Sequence, residues 1–321
     1  MTAVVTGLAE IPVIRWLRAA SVHSIPDHRT SHDAPTPRGG GIVLVVVFVV
    51  FTPIASRLFN ISTQSMLPIT FGVGAFGVLG FVDDVRALKA LTRLAAQAII
   101  AAGMAYWISE VLQRLFTYQW LFVALVATWI VFFVNAFNFM DGINGISISQ
   151  TVSSAFCMML LEHAGRAKVG VYGAVLLGGS LGFAPYNFRN RGRAKVFLGD
   201  SGSYGLGAAI ASVLLIAANG TRGRLNVLVF GTVILYCLDV TITLLRRAAQ
   251  RKRLFEAHRE HFYQKLESMN KCSHIRISLI LLAAGLASAA LPFVFSLTKT
   301  IGYQSISVGN RAAYGVTPNS A

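Results

Sequence analysis

Residues 119–145 read QWLFVALVATWIVFFVNAFNFMDGING, and no Asp, Glu, Lys or Arg falls among the first 22 of them. An α-helix needs about 20 apolar residues to cross the hydrocarbon core of a bilayer, so the stretch predicts a membrane span. Its far end is polar in a regular way: Asn135, Asn138, Asp141 and Asn144 recur every third residue. Continued as a helix, that spacing lines four oxygen-bearing side chains along one face, where they would serve a hard cation or sugar hydroxyls. Gly142 and Gly145 end the helix and let the backbone approach closely. An Asn-rich cap or interhelical hydrogen bonding would account for one or two of these residues, but not for all four. An apolar span opening into a polar row predicts an all-α, polytopic membrane bundle with its chemistry at the membrane surface.

The rest of the chain agrees. Of its 321 residues 55% are hydrophobic and 13% charged, where soluble domains carry roughly 25% charged residues; mean hydropathy is +0.62. Further spans are predicted at 41–59, 66–82, 94–112, 146–162, 168–186, 203–219, 225–245 and 275–297. Residues 1–14 are too short to span and contain Glu10. With Arg15 and Arg18 as a flank, they are predicted to be the second half of a tenth span whose first half is missing, the alternative being a short helix. The expectation is nine to ten transmembrane helices in one domain over 1–297, with a flexible tail at 298–321. Cys157, Cys237 and Cys272 form no metal-binding spacing and predict neither zinc nor disulfides.

Charge orients the bundle. With strict alternation of spans, one side carries four Lys and Arg in 15–40, three in 83–93, four in 187–195 and nine in 246–276, leaving eight of the 28 for the other side. The positive-inside rule places the richer side in the cytoplasm. The net charge of +15 thus reads as topology and attraction for anionic head groups and phosphates; no basic stripe with stacking aromatics points to nucleic acid.

Five of the thirteen acidic residues, Asp83, Asp84, Asp141, Asp200 and Asp239, lie in or at the ends of apolar segments. Carboxylates there are costly and usually functional, and the first four fall at the basic side. Asp83 and Asp84 are adjacent, a pair suited to a divalent metal or to general-base work. Asp200 stands in FLGDSGS (197–203) after Arg189, Arg191, Arg193 and Lys195, where a helix N-terminus favours phosphate. Before the first long span, RTSH (29–32) and PTPRGGG (35–41) contribute His32 and Arg38; Arg binds phosphate bidentately and glycines bring N–H groups to an anion. Past Asp239 comes HREHFYQ (258–264), whose His258 and His261 share a helical face and suit a diphosphate, while the segment also reads as a basic helix lying on the bilayer.

Taken together and in this order, the five segments resemble the polyprenyl-phosphate N-acetylhexosamine-1-phosphate transferases, over about residues 15–297. HREHFYQ is more similar to the branch that initiates O-antigen or teichoic-acid synthesis than to the peptidoglycan branch, which carries three consecutive histidines. The resemblance implies a ten-helix bundle in the bacterial cytoplasmic membrane, with a cytoplasmic active site that uses Mg²⁺, or Mn²⁺ in its place. It implies Asp200 as principal metal ligand and Asp83 and Asp84 as residues that bind or deprotonate the lipid phosphate. Asp141 would lie beside nucleotide and metal. His32, Arg38, Asn138, Arg193, His258 and His261 would contact substrate. Asn144 stands where many members have a second Asp, and is expected to bind rather than catalyse. The implied partners are a UDP-N-acetylhexosamine, undecaprenyl phosphate and the bilayer; a homodimer stays open.

The expected reaction joins a phosphate oxygen of the polyprenyl phosphate to the β-phosphorus of the UDP-sugar and releases UMP. Two polyanions must meet, which calls for cations. The rival reading is a secondary transporter for an anionic solute, but transporters place polar groups near the bilayer midplane, within repeats. Here they cluster at one face, no repeat is visible, and Asp239 alone is too little for a proton relay.

Overall fold

A computed structural model of the protein describes residues 1–24, 35–60, 66–112, 118–165, 167–220, 228–253, 258–270 and 272–291. Among them are eleven α-helices: α1 Thr2–Ala19, α2 Ile42–Leu58, α3 Met66–Arg86, α4 Ala90–Leu112, α5 Gln119–Met140, α6 Ile146–His163, α7 Gly170–Asn187, α8 Gly199–Gly220, α9 Ile234–Ala249, α10 Phe262–Asn270 and α11 His274–Leu291. A 3-10 turn, Leu228–Val233, leads into α9. Six of the helices, α3, α4, α5, α8, α9 with its leading turn, and α11, are long and apolar enough to cross a membrane. The protein is therefore all-α and multi-pass.

The other predicted spans fall short of that criterion for visible reasons. α2 is apolar but only 17 residues long. α6 buries Ser147, Ser149, Gln150, Thr151, Ser153 and Ser154. Its hydroxyls bond back to the preceding turn, Thr151 to the Ser147 carbonyl at 2.7 Å and Ser153 to that of Gln150 at 3.0 Å, while the Gln150 amide reaches the Thr232 carbonyl at 2.9 Å. A helix enclosed by protein can satisfy polar groups internally and need not be apolar throughout. α1 runs unbroken through Glu10 and packs along α7, burying Thr6, Glu10, Ile14 and Leu17.

α8 is the axis. Of its apolar stretch 83% is covered, against 28% for α4 and α11 and 33% for α9, and it packs chiefly against α3 and α5. Small residues let membrane helices approach closely. Gly80 of α3 lies so near the Asp200 backbone that a Cβ there would stand 2.1 Å from the Asp200 carbonyl oxygen. This contact sets the C-terminus of α3, with Asp83 and Asp84, against the N-terminus of α8.

A short hairpin completes that end. β1 (His23–Ser24) pairs antiparallel with β2 (Thr36–Pro37). The chain after β2 is laced to the segment before α8: Phe197 N–H donates to the Pro37 carbonyl at 2.8 Å, Gly40 N–H to Phe197 at 3.1 Å, and Gly41 N–H to Leu198 at 2.9 Å. Arg38 is thereby held over the start of α8.

Candidate active site

The site forms where the C-termini of α3 and α5 meet the N-terminus of α8. The α8 start has unpaired backbone N–H groups, and Asp84 takes two of them: its oxygens accept from Asp200 N–H at 2.8 Å and Ser201 N–H at 2.9 Å. Gly199 makes the entry with φ +75°, and a Cβ there would press on Asp84. Arg38 bridges the two acids, its Nε 2.7 Å from Asp84 and its Nη2 bonded to Asp200. Burial works against the Arg38 charge, but Asp200 and Asp84 outweigh it and hold the guanidinium protonated more firmly than usual. The second Asp200 oxygen accepts from the Asn138 amide at 2.7 Å, and that amide also reaches Ser203 at 2.9 Å.

Asp141 caps the C-terminus of α5 and accepts the Ser147 hydroxyl at 2.6 Å. Burial raises its carboxyl to about 8, the Ser147 hydrogen bond offsetting part of the effect, and it feels the charges of Asp200, Arg38 and Asp84. One cluster therefore unites Arg38, Asp84, Asn138, Asp141 and Asp200.

Adjacent in sequence, Asp83 and Asp84 face different partners, as neighbours 100° apart on a helix must. Asp83 is buried and fully engaged: the Leu88 N–H at 2.7 Å, the Tyr204 hydroxyl at 3.0 Å and Arg93 at 3.1 Å all bond to it. Arg93 and Tyr204 were not singled out in the sequence. Arg93 counted only toward topology, and Tyr204 follows FLGDSGS by one residue without a distinguishing mark.

The single polar face expected from Asn135 to Asn144 is not what forms, because α5 stops at Met140. Asn135 turns to Gln97 of α4 at 2.6 Å. Asn144 lies beyond the helix, its N–H on His274 Nδ1 at 3.2 Å and its amide on the Asn190 carbonyl at 3.1 Å. Asn144 thus ties three segments together. Arg193 is exposed in the loop between α7 and α8. His32 lies outside the described residues.

His258 and His261 stack at 5.0 Å between ring centroids. His261 is buried, its Nδ1 3.1 Å from Asp239 Oδ1, and Asp239 also accepts Phe262 N–H at 3.0 Å. Asp239 therefore anchors the histidine segment to α9. The segment is set against α5 by the Tyr263 hydroxyl, which donates to the Phe139 carbonyl at 3.0 Å. His258 is half-buried; burial first, then His261, lowers its imidazole to about 4.

The donors around Asp200 are hard oxygens, which suit Mg²⁺ over softer metals. Among the described residues no group of three or more His, Cys, Asp or Glu could hold an ion by itself. Mg²⁺ usually rests on one or two carboxylates, with substrate phosphates and water completing its shell. Asp200 and its neighbours fit that manner of binding, and the Arg38 guanidinium already bridges two of the carboxylates as a cation would.

Buried acids, an arginine and histidines thus gather at one end of a bundle of membrane-length helices. The model of glycosyl transferase family 4 matches residues 66–218. Over 315 residues the chain is 29% identical to the decaprenyl-phosphate N-acetylglucosaminephosphotransferase of Mycobacterium tuberculosis, covering 87% of this chain and 77% of that one. It is 26% identical to the probable undecaprenyl-phosphate N-acetylglucosaminyl 1-phosphate transferase of Bacillus subtilis, covering 94% and 83%. It is 29% identical to the phospho-N-acetylmuramoyl-pentapeptide-transferase of Pelotomaculum thermopropionicum, covering 88% and 93%. The chain is thus similar over most of its length to polyprenyl-phosphate sugar-phosphate transferases, the proteins its motifs resemble.

Proposed function

We propose that the protein transfers an N-acetylhexosamine-1-phosphate from a UDP-sugar to undecaprenyl phosphate or a related polyprenyl phosphate, giving the polyprenyl-diphospho-sugar and UMP, and so initiates a cell-envelope polysaccharide of the O-antigen or teichoic-acid kind. The observation that carries this reading is Arg38 bridging Asp84 and Asp200 at the mouth of a membrane bundle. A phosphate can take the guanidinium from those carboxylates, and the carboxylates are then free for a cation.

In this reading a phosphate oxygen of the acceptor bonds to the donor β-phosphorus, and the bond from that phosphorus to the UMP oxygen breaks. Arg38 turns its fork to the phosphates, where planar bidentate contacts orient them. Asp200, assisted by Asp141 and Asn138, would hold Mg²⁺ or Mn²⁺, which when bound would offset the negative charge shared by the two substrates. Asp84 keeps Asp200 in place through the start of α8. Asp83, with all its partners already made, acts through Arg93 and Tyr204 as a positioning residue; a phosphate monoester is largely ionised near neutral pH and needs little help from a base. His258, Arg193 and His32 meet the diphosphate or nucleotide. With its basic loops, this end faces the cytoplasm of a bacterial cell, and α1, α2, α6 and α7 complete a bundle of nine to ten spans in the inner membrane.

The test is UMP release by the purified full chain from a panel of UDP-N-acetylhexosamines, with undecaprenyl phosphate and with or without Mg²⁺. Release that requires lipid and Mg²⁺ establishes the reaction and names the sugar. No release from any donor by folded protein would overturn it.

A further inference from the structure

Glu267 of α10 belongs to none of the motifs used above, yet three segments converge on its carboxylate. Arg191 Nη1, from the loop between α7 and α8, stands 3.2 Å from Oε1, and Arg259 Nη2, from the histidine segment, stands 2.7 Å from Oε2. His274 Nε2, at the start of α11, faces Oε1 at 3.6 Å. The carboxylate and the imidazole are buried, while both guanidiniums are partly exposed. A buried charge persists only when it is paired, and here each carboxylate oxygen holds a guanidinium from a different loop.

The contacts continue to the turn that carries Asp141. His274 Nδ1 accepts the Asn144 N–H at 3.2 Å. A backbone N–H can only donate, so the ring carries its proton on Nε2, the nitrogen turned to Glu267. Ser278, one turn further along α11, donates to the Asn144 carbonyl at 3.0 Å. Tyr263 lies four residues before Glu267, on the same face of α10. It comes so close to Gly142 that a Cβ there would stand 2.1 Å from the Tyr263 hydroxyl. Glu267 thus sits where three segments meet: the basic loop with Arg191 and Arg193, the turn from Asp141 to Gly145, and the histidine segment.

We propose that Glu267 is a positioning residue for the sugar-nucleotide donor, a counter-charge that sets these three segments in register before the donor arrives. The inference rests on the transferase reading above, which gives Arg193 and His258 to the diphosphate or nucleotide and Asp141 to the metal beside it. A site assembled beforehand spares the donor the cost of ordering the loops that bind it. Arg38 and Asp84 are tied differently, through the chain after β2 and the start of α8, by bonds that do not involve Glu267. Loss of the Glu267 charge should therefore reach the donor and spare the lipid acceptor.

The test compares the full chain in nanodiscs with its Glu267→Gln variant, which keeps the side-chain shape and removes the charge. Hydrogen exchange is measured on each protein alone. Amides of 142–146, 187–195 and 258–264 should exchange faster together, by about tenfold, while those of 199–203 stay unchanged. In the transfer assay the KM for the UDP-sugar should rise about tenfold, with kcat and the KM for undecaprenyl phosphate within about twofold of wild type. If Glu267→Gln does not fold, Arg259→Gln, which cuts one arm and leaves the carboxylate, takes its place, with a rise of about threefold. Unchanged exchange in the three segments would overturn the proposal. So would faster exchange with the donor KM unmoved, since Glu267 would then serve the fold alone. A wild type that releases no UMP from any donor would sink the transferase reading itself, and this inference with it, before any variant is compared.

Discussion

Asp84 holds Asp200 through the backbone: one carboxylate on α3 accepts the N–H of Asp200 at 2.8 Å and of Ser201 at 2.9 Å, capping from outside the helix that carries the central acid. A cap contributes about 0.5–2 kcal/mol, and here it also fixes the direction of Asp200. Asp84→Ala should therefore destabilise the protein by about 2 kcal/mol and abolish UMP release. Thermal unfolding and the transfer assay together check this. A variant that loses activity with its melting temperature intact would show that Asp84 acts on substrate and not as a cap.

Asp200→Asn separates chemistry from architecture. The amide is nearly isosteric, the Asp84 cap bonds to backbone and survives, and one buried negative charge is removed. Activity should fall about 1,000-fold or more, the scale of losing a principal electrostatic group, while the unfolding temperature stays level or rises. If the Asp200→Asn protein kept about a tenth of the wild-type rate or better, Asp200 would be removed from the metal assignment.

Asp83 should behave as part of a unit with Arg93 and Tyr204. Its bonds to Tyr204 and Arg93 at 3.0 and 3.1 Å link α3, α8 and α4. Members of one hydrogen-bonded network couple, typically by about 0.5–3 kcal/mol. Asp83→Asn and Arg93→Gln should each lower stability and rate, and the double variant should lose less than the two losses combined. The readout that separates positioning from base catalysis is the pH–rate profile: its acid limb should be unchanged in Arg93→Gln and in Tyr204→Phe. A shifted limb in either variant would restore Asp83 as a base for the lipid phosphate.

Much of this site was readable from the chain alone because its residues occur in compact motifs at span ends. Arg38, Asp84, Asn138, Asp141 and Asp200 come from four motifs, and all meet in one cluster. What could not be read is which way each side chain turns. Two adjacent aspartates look equivalent as letters, yet a 100° step sends Asp84 to α8 and Asp83 to Arg93 and Tyr204. The row from Asn135 to Asn144 promised one face only if the helix continued, and it ends at Met140. Asp239 looked like an isolated acid within a span, since its partner His261 is 22 residues away. The span predicted at 146–162 does form a helix, α6, but its serine-rich face is buried among other helices, which hydropathy does not reveal.

His258 supplies a pH dependence with a defined sign. An unperturbed histidine takes its proton near 6.5, but the folded protein holds His258 neutral until the pH falls through about 4. Between those values the unfolded chain binds more protons than the folded one. Stability therefore rises with pH across the window and is lost as the protein is acidified from about 6.5 toward 4. His258→Gln should remove that contribution, so the drop in melting temperature from about pH 7 to about pH 4.5 should be smaller than in wild type. An equal drop in both would show that His258 titrates as an exposed histidine. Saturating UDP-sugar should act the other way, since a diphosphate beside the ring favours its charged form.

His261 and Asp239 should act as one residue in donor binding. His261 is only 2% exposed, and its Nδ1 meets a carboxylate oxygen that can only accept, so the ring donates from that nitrogen and is fixed in orientation. The same carboxylate caps the start of α10 through Phe262. Either His261→Ala or Asp239→Asn should loosen the segment that presents His258, raising the apparent KM for the UDP-sugar while leaving the KM for the lipid acceptor unchanged. The double variant should match the worse single one to within about 0.5 kcal/mol, because the second change removes a partner already lost. Fully additive effects would mean that His261 contacts the donor on its own account, and an unchanged KM in both would reduce the segment to a membrane anchor.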